Sequence, residues 1–414
     1  MSRPAYQSIA DLPPLDPKDP FFGANPFDPS FRGDPHARLA RLRAVAPVSE
    51  LPFGVFRLAR YADCQRLLRD VPTGVRNADG QIDGRERIPR ALGPGEFMLQ
   101  QDPPAHPRLR RLVSKAFTPR AIERLRAPVK RLVDELVERA LAKGEMDVIA
   151  DLALPVPSTV ICEMMGVPIA DRARFTEWTA QATHLLAAQF APQEVIDRAA
   201  AAAEALEHYF EDLIAERRTS PREDILTELI RAEEAGDRLT PRELIAQASG
   251  LLIAGFETTI GLIGNGVRML VLHPDQLARL RADPGLIASA VEECLRFDGP
   301  IPLTIRVTRE ETRFGDVVIP KDRRVMALLS AANRDPAKFP DPDRFDVGRS
   351  PNEHLAFGGG AHFCLGVHLA RMEAQLAIGT LVARTRTLEL DDSPPEWGAS
   401  LFRVLGRLPL RLSA

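Results

Sequence analysis

The stretch FGGGAHFCLG, from Phe357 to Gly366, is the most informative part of this 414-residue chain. Its glycines allow the backbone to pass close to a flat ligand and to take conformations that a Cβ atom would forbid. Its single cysteine, Cys364, precedes the helical pattern LGVHLARM. A helix N-terminus at that point is expected to stabilise a thiolate and to lower its pKa. Such a thiolate is a strong axial ligand for iron.

The same cysteine is compatible with two other roles. A single buried cysteine commonly serves as a small hydrophobic side chain. A lone reactive cysteine can also be a hydrolytic nucleophile that is paired with a distant histidine. Neither role requires the glycine spacing around Cys364. The spacing therefore favours the metal-ligand interpretation.

The composition excludes several classes of protein. Of all residues, 45% are hydrophobic and 27% are charged, which is typical of a globular chain. The net charge of −3 gives no attraction to nucleic acid or to anionic membranes. The four cysteines are far apart, which argues against zinc ribbons, disulfide frameworks and iron–sulfur clusters and favours a reducing cytoplasm. Because Met1 to Pro26 contain no apolar run, no signal peptide or membrane anchor is expected.

Helical periodicity dominates the chain, and strand patterns occur near its two ends. No linker divides the sequence, so it predicts one helix-rich domain over residues 1–414 with a minor β part. A long irregular loop is predicted over Val71–Gln101. The predicted strand regions include Val55–Leu58, Pro302–Thr308, Val317–Ile319, Arg324–Leu329 and Arg403–Leu412.

The longest predicted helix covers Thr240–Leu272. Thr240 suits the N-cap position, a proline follows it, and Glu243 stands where a capping box needs an acid. The apolar stretch Leu244–His273 is long enough to span a membrane. It contains charged residues and several glycines, so a buried core helix is the favoured interpretation.

This helix carries the segment AGFETT, Ala254–Thr259. The small residues Ala254 and Gly255 leave space beside the helix. Burial of the Glu257 carboxylate is costly unless it is paired or hydrated, and an alcohol beside an acid can deliver protons inside a dry pocket. From the residues alone, a core salt bridge for Glu257 and a Thr258 hydroxyl bonded to its own helix are equally compatible.

The two segments together resemble the cytochrome P450 family. The family pattern Phe-x-x-Gly-x-x-x-Cys-x-Gly is filled at every fixed position, and Ala254–Thr259 fits the family's oxygen-binding groove. The resemblance implies a mainly α fold with small β-sheets and haem b held by Cys364. It implies that Glu257 and Thr258 are catalytic residues that relay protons. Further haem contacts are implied for Ala254, Gly255, Phe357, Gly358, His362 and Gly366.

Two more segments occur in the order that the family requires. In ECLR, Glu293 and Arg296 lie three residues apart, which is also common on solvated helices. The resemblance implies that they form a structural network with Arg344 in the later segment DRF. His106 and Arg110 share a helix face and are equally compatible with a solvated basic surface. The resemblance implies that they bind the haem propionates, together with Arg306 and His362.

The resemblance also implies a substrate pocket, lined by mostly apolar residues that include part of the loop Ile88–Leu99. A hydrophobic terpenoid, polyketide, steroid or fatty acid is the expected substrate. The pocket residues expected by position in the family are Leu99, Gly250, Ile253, Pro302, Leu303, Leu401 and Phe402.

No flavin, nicotinamide or iron–sulfur segment is recognisable, so a separate partner is expected to supply electrons. The expected partner is a ferredoxin with an NAD(P)H-dependent reductase, acting on a monomeric cytoplasmic enzyme. A docking patch is predicted at Arg108, Arg111, Lys115 and Arg371, although a solvated basic face is as compatible for any one of them.

Three functions remain open at this point. The first is a monooxygenase that uses O2. The second is a peroxide-driven or O2-independent haem-thiolate enzyme, which does not need the pair Glu257 and Thr258. The third is a haem sensor or carrier, in which that pair would have no task.

Overall fold

A computed structural model describes residues 33–51, 54–81, 96–115, 117–187, 192–234, 237–398 and 402–414. Helices make up most of this part of the chain, as the periodicity predicts. The helices are α1 (His36–Val45), α2 (Tyr61–Arg69), α3 (Ala105–Ser114), α4 (Pro119–Lys143), α5 (Pro155–Met165), α6 (Arg172–Ala182), α7 (Gln193–Thr219), α8 (Ile225–Glu234), α9 (Pro241–Leu272), α10 (Pro274–Ala282), α11 (Ile287–Asp298), α12 (Leu329–Ala332) and α13 (Val367–Arg384).

The helix α9 is the central element of the fold. It begins with the predicted capping box: Glu243 N–H donates to Thr240 Oγ1 at 3.2 Å, and Thr240 N–H donates to Glu243 Oε2 at 2.8 Å. Its apolar side chains belong to the main hydrophobic core, and it packs against α5, α7, α11 and α13. By length and composition it could span a membrane, but 67% of its most apolar stretch is buried inside the protein. The core-helix interpretation is confirmed.

The strands form one larger sheet and three small ones. They are β1 (Val48–Glu50), β2 (Val55–Leu58), β3 (Thr73–Gly74), β4 (Glu145–Asp147), β5 (Thr304–Thr308), β6 (Thr312–Phe314), β7 (Val317–Ile319), β8 (Arg324–Ala327), β9 (Thr387–Leu390), β10 (Glu396–Trp397), β11 (Leu405–Arg407) and β12 (Pro409–Ser413). The larger sheet has the order β1-β2-β8-β5-β3, in which only β2 and β8 run parallel. The small sheets are β4-β12-β9, β6-β7 and β10-β11.

Two strand predictions need correction. The irregular loop predicted over Val71–Gln101 contains β3, which is only two residues long and pairs with Thr308 and Val307. The region Arg403–Leu412 forms two strands, because β11 pairs with β10 whereas β12 pairs with β4 and β9. Such short pairings depend on distant partners, which a local pattern does not contain.

A buried ionic network joins α11 to the segment before the cysteine loop. Arg296 binds Glu293 through two hydrogen bonds of 2.7 and 2.8 Å, and both side chains are fully buried. The prediction for Arg344 is wrong in one respect: its side chain is exposed, and only its carbonyl oxygen reaches Arg296, at 3.2 Å. The second guanidinium on Glu293 is that of Arg349, whose Nε lies 3.2 Å from the carboxylate.

Candidate active site

The cysteine loop folds back on itself before α13 begins. The Cys364 N–H donates to the Phe357 carbonyl at 3.0 Å, and the Phe363 N–H donates to the Gly360 carbonyl at 3.1 Å. Gly366 is the N-cap of α13, so only one residue and the cap separate Cys364 from the helix. The backbone N–H of Gly366 hydrogen-bonds to the thiol. The loop thus presents Cys364 in the position that the sequence predicts, ahead of a helix N-terminus.

Two glycines of this loop occupy the left-handed region, Gly358 with φ +71° and Gly360 with φ +63°. A Cβ at Gly360 would lie 2.1 Å from the carbonyl oxygen of Leu68 in α2. No side chain fits there without a backbone shift. The glycine of the family pattern is therefore required by contact with α2 as well as by its conformation.

The expected lowering of the Cys364 pKa is not observed. Burial raises the pKa of the thiol, and this outweighs the Gly366 hydrogen bond and the charges of Arg110 and Arg371, which lower it. The other three cysteines, Cys64, Cys162 and Cys294, are more deeply buried, as the structural role of a small hydrophobe requires. A positive charge beside the sulfur is needed before the thiolate is favoured.

Four basic side chains gather next to the cysteine loop: His106 and Arg110 of α3, Arg306 of β5, and His362. The rings of His106 and His362 lie 4.1 Å apart between centroids. Burial lowers the pKa of His362 to about 3 and of Arg306 to about 10, and the neighbouring positive charges lower the His362 pKa further. The pKa of His106 and of Arg110 is also lowered, mainly by burial. The structure brings together the four residues that the sequence assigns to the propionates.

Among the described residues, the positive charge of this cluster is only partly offset, by the charge of Asp102. Within the described residues, neither Arg110 nor Arg306 forms a salt bridge, and the buried Nδ1 of His362 has no hydrogen-bond partner. The Asp102 carboxylate already accepts from Val75 N–H at 2.8 Å and from Arg309 Nη2 at 2.6 Å. The donor set thus fits a ligand with carboxylates of its own, such as the two propionates of haem.

The acid–alcohol pair lies on α9, with both side chains partly buried. Thr258 Oγ1 donates to the Ala254 carbonyl at 3.0 Å. This is the hydrogen bond to its own helix that the sequence allowed as one of two alternatives. Thr259 makes the same bond to Gly255. A Cβ at Gly255 would meet no atom closer than 3.8 Å, so this face of the helix has room beside it.

The predicted pocket residues are distributed as follows. Ile253 and Phe402 pack at the edge of the main core, whereas Leu303 packs against a separate cluster that includes Leu39 and Met326. Leu99 is 40% exposed. Leu401 and residues 88–95 of the predicted loop lie outside the described residues.

Gly250 has a neighbour that the sequence did not identify. A Cβ on Gly250 would lie 2.4 Å from the ring of Phe97, so the ring rests directly on α9. Gln247, one turn earlier, accepts from Met98 N–H at 3.1 Å and donates to the Glu96 carbonyl at 2.9 Å. In the sequence, only the spacing of Gln247 and Gly250 on one helix face pointed to this contact. That spacing does not show which residues pack against the helix.

The predicted docking patch requires correction, because three of its four charges are paired. Arg108 binds Glu243, Arg111 binds Asp237, and Arg371 binds Glu292 through bonds of 2.7 and 2.6 Å. Lys115 is exposed. The patch is therefore largely neutralised within the chain.

Arg371 has a structural task at the back of the cysteine loop. Its guanidinium lies 5.1 Å from the ring centroid of Phe357, and Glu292 also lies 3.2 Å from His354 Nε2. Although burial raises it, the hydrogen bonds from His354 and Arg371 hold the pKa of Glu292 at about 2. Sequence reasoning did not identify Glu292, because an acid beside Glu293 has no distinctive spacing.

A thiol presented by a glycine loop, a set of only partly balanced cations beside it and a helix with an acid–alcohol pair define a haem-thiolate protein. A family model described as Cytochrome P450 matches residues 83–284 and 285–402. The chain belongs to the cytochrome P450 family and is an oxidoreductase with cysteine-ligated haem iron.

Similar proteins support a monooxygenase of this family. The chain is 43% identical over 404 residues to cytochrome P450 107B1 of Saccharopolyspora erythraea, covering 94% of this chain and 97% of that one. It is 39% identical to the vitamin D(3) 25-hydroxylase of Pseudonocardia autotrophica, covering 93% and 96%. A solved structure of P450BioI with a hexadec-9Z-enoic acid-ligated acyl carrier protein superposes with a TM-score of 0.85 at 36% identity, covering 93% and 99%.

Proposed function

We propose that this P450 uses two externally supplied electrons and O2 to hydroxylate or epoxidise a hydrophobic small molecule. The observation that carries the proposal is the cluster of His106, Arg110, Arg306 and His362 beside the Cys364 loop, in which neither arginine forms a salt bridge among the described residues. In this proposal Cys364 is the axial ligand. When bound, haem supplies the activation of O2, which the thiolate promotes by donating electron density.

The basic cluster holds and orients the cofactor. Arg110 donates from Nη2 to the Phe363 carbonyl at 2.7 Å, and this bond ties α3 to the cysteine loop. Arg306 donates to Thr304 Oγ1 and to the Ile305 carbonyl at 2.9 and 2.8 Å, which fixes its guanidinium. Both guanidinium groups are therefore already fixed in place and need little reorganisation to bind carboxylates.

The acid–alcohol pair moves protons. Because the Thr258 hydroxyl donates its hydrogen to the Ala254 carbonyl, the lone pairs of Oγ1 remain available to accept a hydrogen bond. Glu257, the neighbouring residue on α9, is the acid that replenishes the proton through solvent. Gly255 leaves room for a small molecule at this part of the helix.

The substrate is proposed to be a terpenoid, polyketide, steroid or fatty acid. One relative is named for vitamin D(3) hydroxylation, and a structural neighbour was solved with a fatty acyl carrier protein. The apolar residues Ile253, Pro302, Leu303 and Phe402 supply the pocket walls. Electrons come from a ferredoxin and its NAD(P)H-dependent reductase, and the enzyme acts as a soluble cytoplasmic monomer.

The proton-relay role distinguishes the proposal from a peroxide-driven or O2-independent enzyme. Thr258→Ala is expected to uncouple electron consumption from product formation, because the relay loses its hydroxyl. Thr259→Ala is the matched control, since it removes an equivalent back-bond from a residue that is 4% exposed. If Thr258→Ala keeps full activity and the same ratio of electrons consumed to product formed, the enzyme would instead be peroxide-driven or O2-independent.

The substrate class is tested by optical titration of the ferric protein with fatty acids, steroids, macrolides and terpenoids. A saturable shift of the haem from low to high spin identifies the class that fills the pocket. A haem-loaded protein that responds to none of them would contradict a free hydrophobic substrate and favour a carrier-bound or more polar one.

A further inference from the structure

A buried carboxylate at the end of α11 joins four parts of the chain that are distant in sequence. Asp298, whose side chain is 1% exposed, accepts hydrogen bonds from Nε and Nη2 of Arg403, the second at 3.3 Å. Its Oδ1 lies 3.2 Å from Nε2 of His36 in α1, and its Oδ2 lies 3.5 Å from Nη1 of Arg268 in α9. Helices α1, α9 and α11 and the C-terminal segment therefore meet at one acid.

The backbone is tied together at the same place. Asn265 of α9 donates from Nδ2 to the carbonyl oxygens of Asp298 and Arg403, at 3.0 and 2.7 Å. The Arg403 N–H donates to the Pro300 carbonyl at 2.8 Å. A Cβ on Gly261 would lie 2.7 Å from Pro300, so α9 accommodates this contact at a glycine. The chain at Pro300 and the chain at Arg403 are thus held side by side against α9.

Both guanidinium groups of this junction also lie against an aromatic ring. The Arg403 guanidinium lies 4.0 Å from the ring centroid of Trp397, and that of Arg268 lies 5.4 Å from it. The desolvation cost of a buried ion pair often cancels its attraction, so such a pair is weak evidence for stability. A bidentate contact between a planar guanidinium and a carboxylate does fix the relative orientation and distance of the two side chains. The arrangement suits a positioning role better than a stabilising one.

We propose that the Asp298–Arg403 pair positions two walls of the substrate pocket relative to each other. Phe402 directly precedes Arg403, and Pro302 follows Asp298 by four residues. A displacement at the pair therefore moves both walls together. The inference rests on the proposed function, because Pro302 and Phe402 are pocket residues only in that proposal.

The probe for this role is 4-phenylimidazole, with imidazole as the reference. Both bind haem through a ring nitrogen, and only the first places a phenyl group against the pocket walls. The ratio of their dissociation constants on the ferric holoprotein therefore reports wall position separately from haem binding. The variants are Asp298→Asn and Arg403→Gln, singly and together, with Arg403→Lys as the conservative replacement.

The matched control is Asp224→Asn. Asp224 accepts from Arg217 Nε at 2.8 Å, and the two side chains are 4% and 0% exposed. This pair is as buried as the first, but it joins α7 and α8, which carry none of the predicted pocket residues. Asp224→Asn therefore removes a buried ion pair without the proposed displacement of the substrate-pocket walls.

Asp298→Asn and Arg403→Gln are expected to reduce the preference for 4-phenylimidazole several-fold. The double variant should be no worse than Asp298→Asn alone, since the charged contact with Arg403 is already lost in that variant. Arg403→Lys should lie between the wild type and Arg403→Gln, and Asp224→Asn should match the wild type. If the preference is unchanged in Asp298→Asn and Arg403→Gln while Phe402→Ala alters it, the positioning role is wrong although the pocket assignment stands.

If Phe402→Ala also leaves the preference unchanged, the pocket assignment itself is wrong and the inference fails with it. Asn265→Ala covers the case in which Asp298→Asn does not fold. This variant keeps both charges and removes the two bonds to the backbone carbonyls. It is expected to reduce the preference in the same direction, and an unchanged preference would overturn the proposal.

Discussion

Arg349 places its guanidinium on the buried carboxylate of Glu293, with Nε 3.2 Å from Oε1. Its remaining nitrogens donate to the carbonyl oxygens of Pro340, Asp341 and Arg344 at 2.8 to 3.1 Å. One side chain therefore closes the loop that precedes the cysteine segment and also completes the network of α11. The family resemblance pointed to Arg344 for this task, and that residue contributes only its carbonyl oxygen.

Arg349 and Arg344 make a matched pair for testing this assignment. Arg349→Met removes one of two guanidiniums from a fully buried carboxylate that Arg296 still pairs, so a loss of about 1.5–3 kcal/mol is expected. Arg344→Met removes an exposed side chain and is expected to change stability by less than about 0.5 kcal/mol. Denaturant unfolding followed by far-UV circular dichroism measures both. Equal losses in the two variants would show that Arg349 does not have the assigned role.

The basic cluster predicts how tightly the cofactor is held. Arg306→Leu removes a charged hydrogen-bond donor from a buried site, which is worth about 1.5–3 kcal/mol and thus roughly a tenfold or greater increase in haem dissociation. Transfer of haem to an excess of apomyoglobin measures the rate. Arg313→Leu, an exposed residue of β6, is the control. A haem-release rate in Arg306→Leu equal to that of the control would remove Arg306 from the propionate site.

Glu373 of α13 predicts a pH dependence of stability. It is 2% exposed, its Oε2 has no hydrogen-bond partner among the described residues, and burial raises its pKa to about 8. A raised pKa means that its contribution to stability is complete below the ordinary pKa of about 4.5 and is lost as the pH rises toward 8. Glu373→Gln should therefore gain roughly 3 kcal/mol relative to the wild type between pH 5 and pH 8.

Urea unfolding of both proteins at pH 5, 6, 7 and 8 tests this. The difference in unfolding free energy between the two proteins should widen steadily with pH. Glu389→Gln, an exposed residue of β9, provides a control whose difference from the wild type is expected to stay constant. A constant difference for Glu373→Gln would mean that the buried carboxyl is not protonated near neutral pH.

The sequence predicted those features that depend on local pattern. The capping box of Thr240 and Glu243, the core helix α9 and the position of Cys364 ahead of α13 all follow from residues close together in the chain. Arg349, Phe97 and the junction at Asp298 did not emerge, because each depends on partners far away in the sequence. Lys115 and the paired arginines near it show the same limit: a run of basic residues does not reveal which carboxylates the fold brings to it.

For Cys364 the sequence predicts the position of the residue but not the direction of its pKa shift. A helix N-terminus alone predicts a lowered thiol pKa, whereas burial raises the pKa of Cys364 in the folded chain. Burial is a property of the whole fold, and it is not visible in the ten residues from Phe357 to Gly366. The expectation that the cysteine is an iron ligand does not depend on this error, because a bound metal ion favours the thiolate directly.

The measurement that tests the central claim most directly is the optical spectrum of the ferrous carbon monoxide complex, compared between the wild type and Cys364→His. If Cys364 is the axial ligand, the wild type shows the strongly red-shifted Soret band of thiolate ligation. Cys364→His should then retain haem but show the band of an imidazole-ligated protein. A wild-type spectrum typical of imidazole ligation, or a red-shifted band that persists in Cys364→His, would contradict the account.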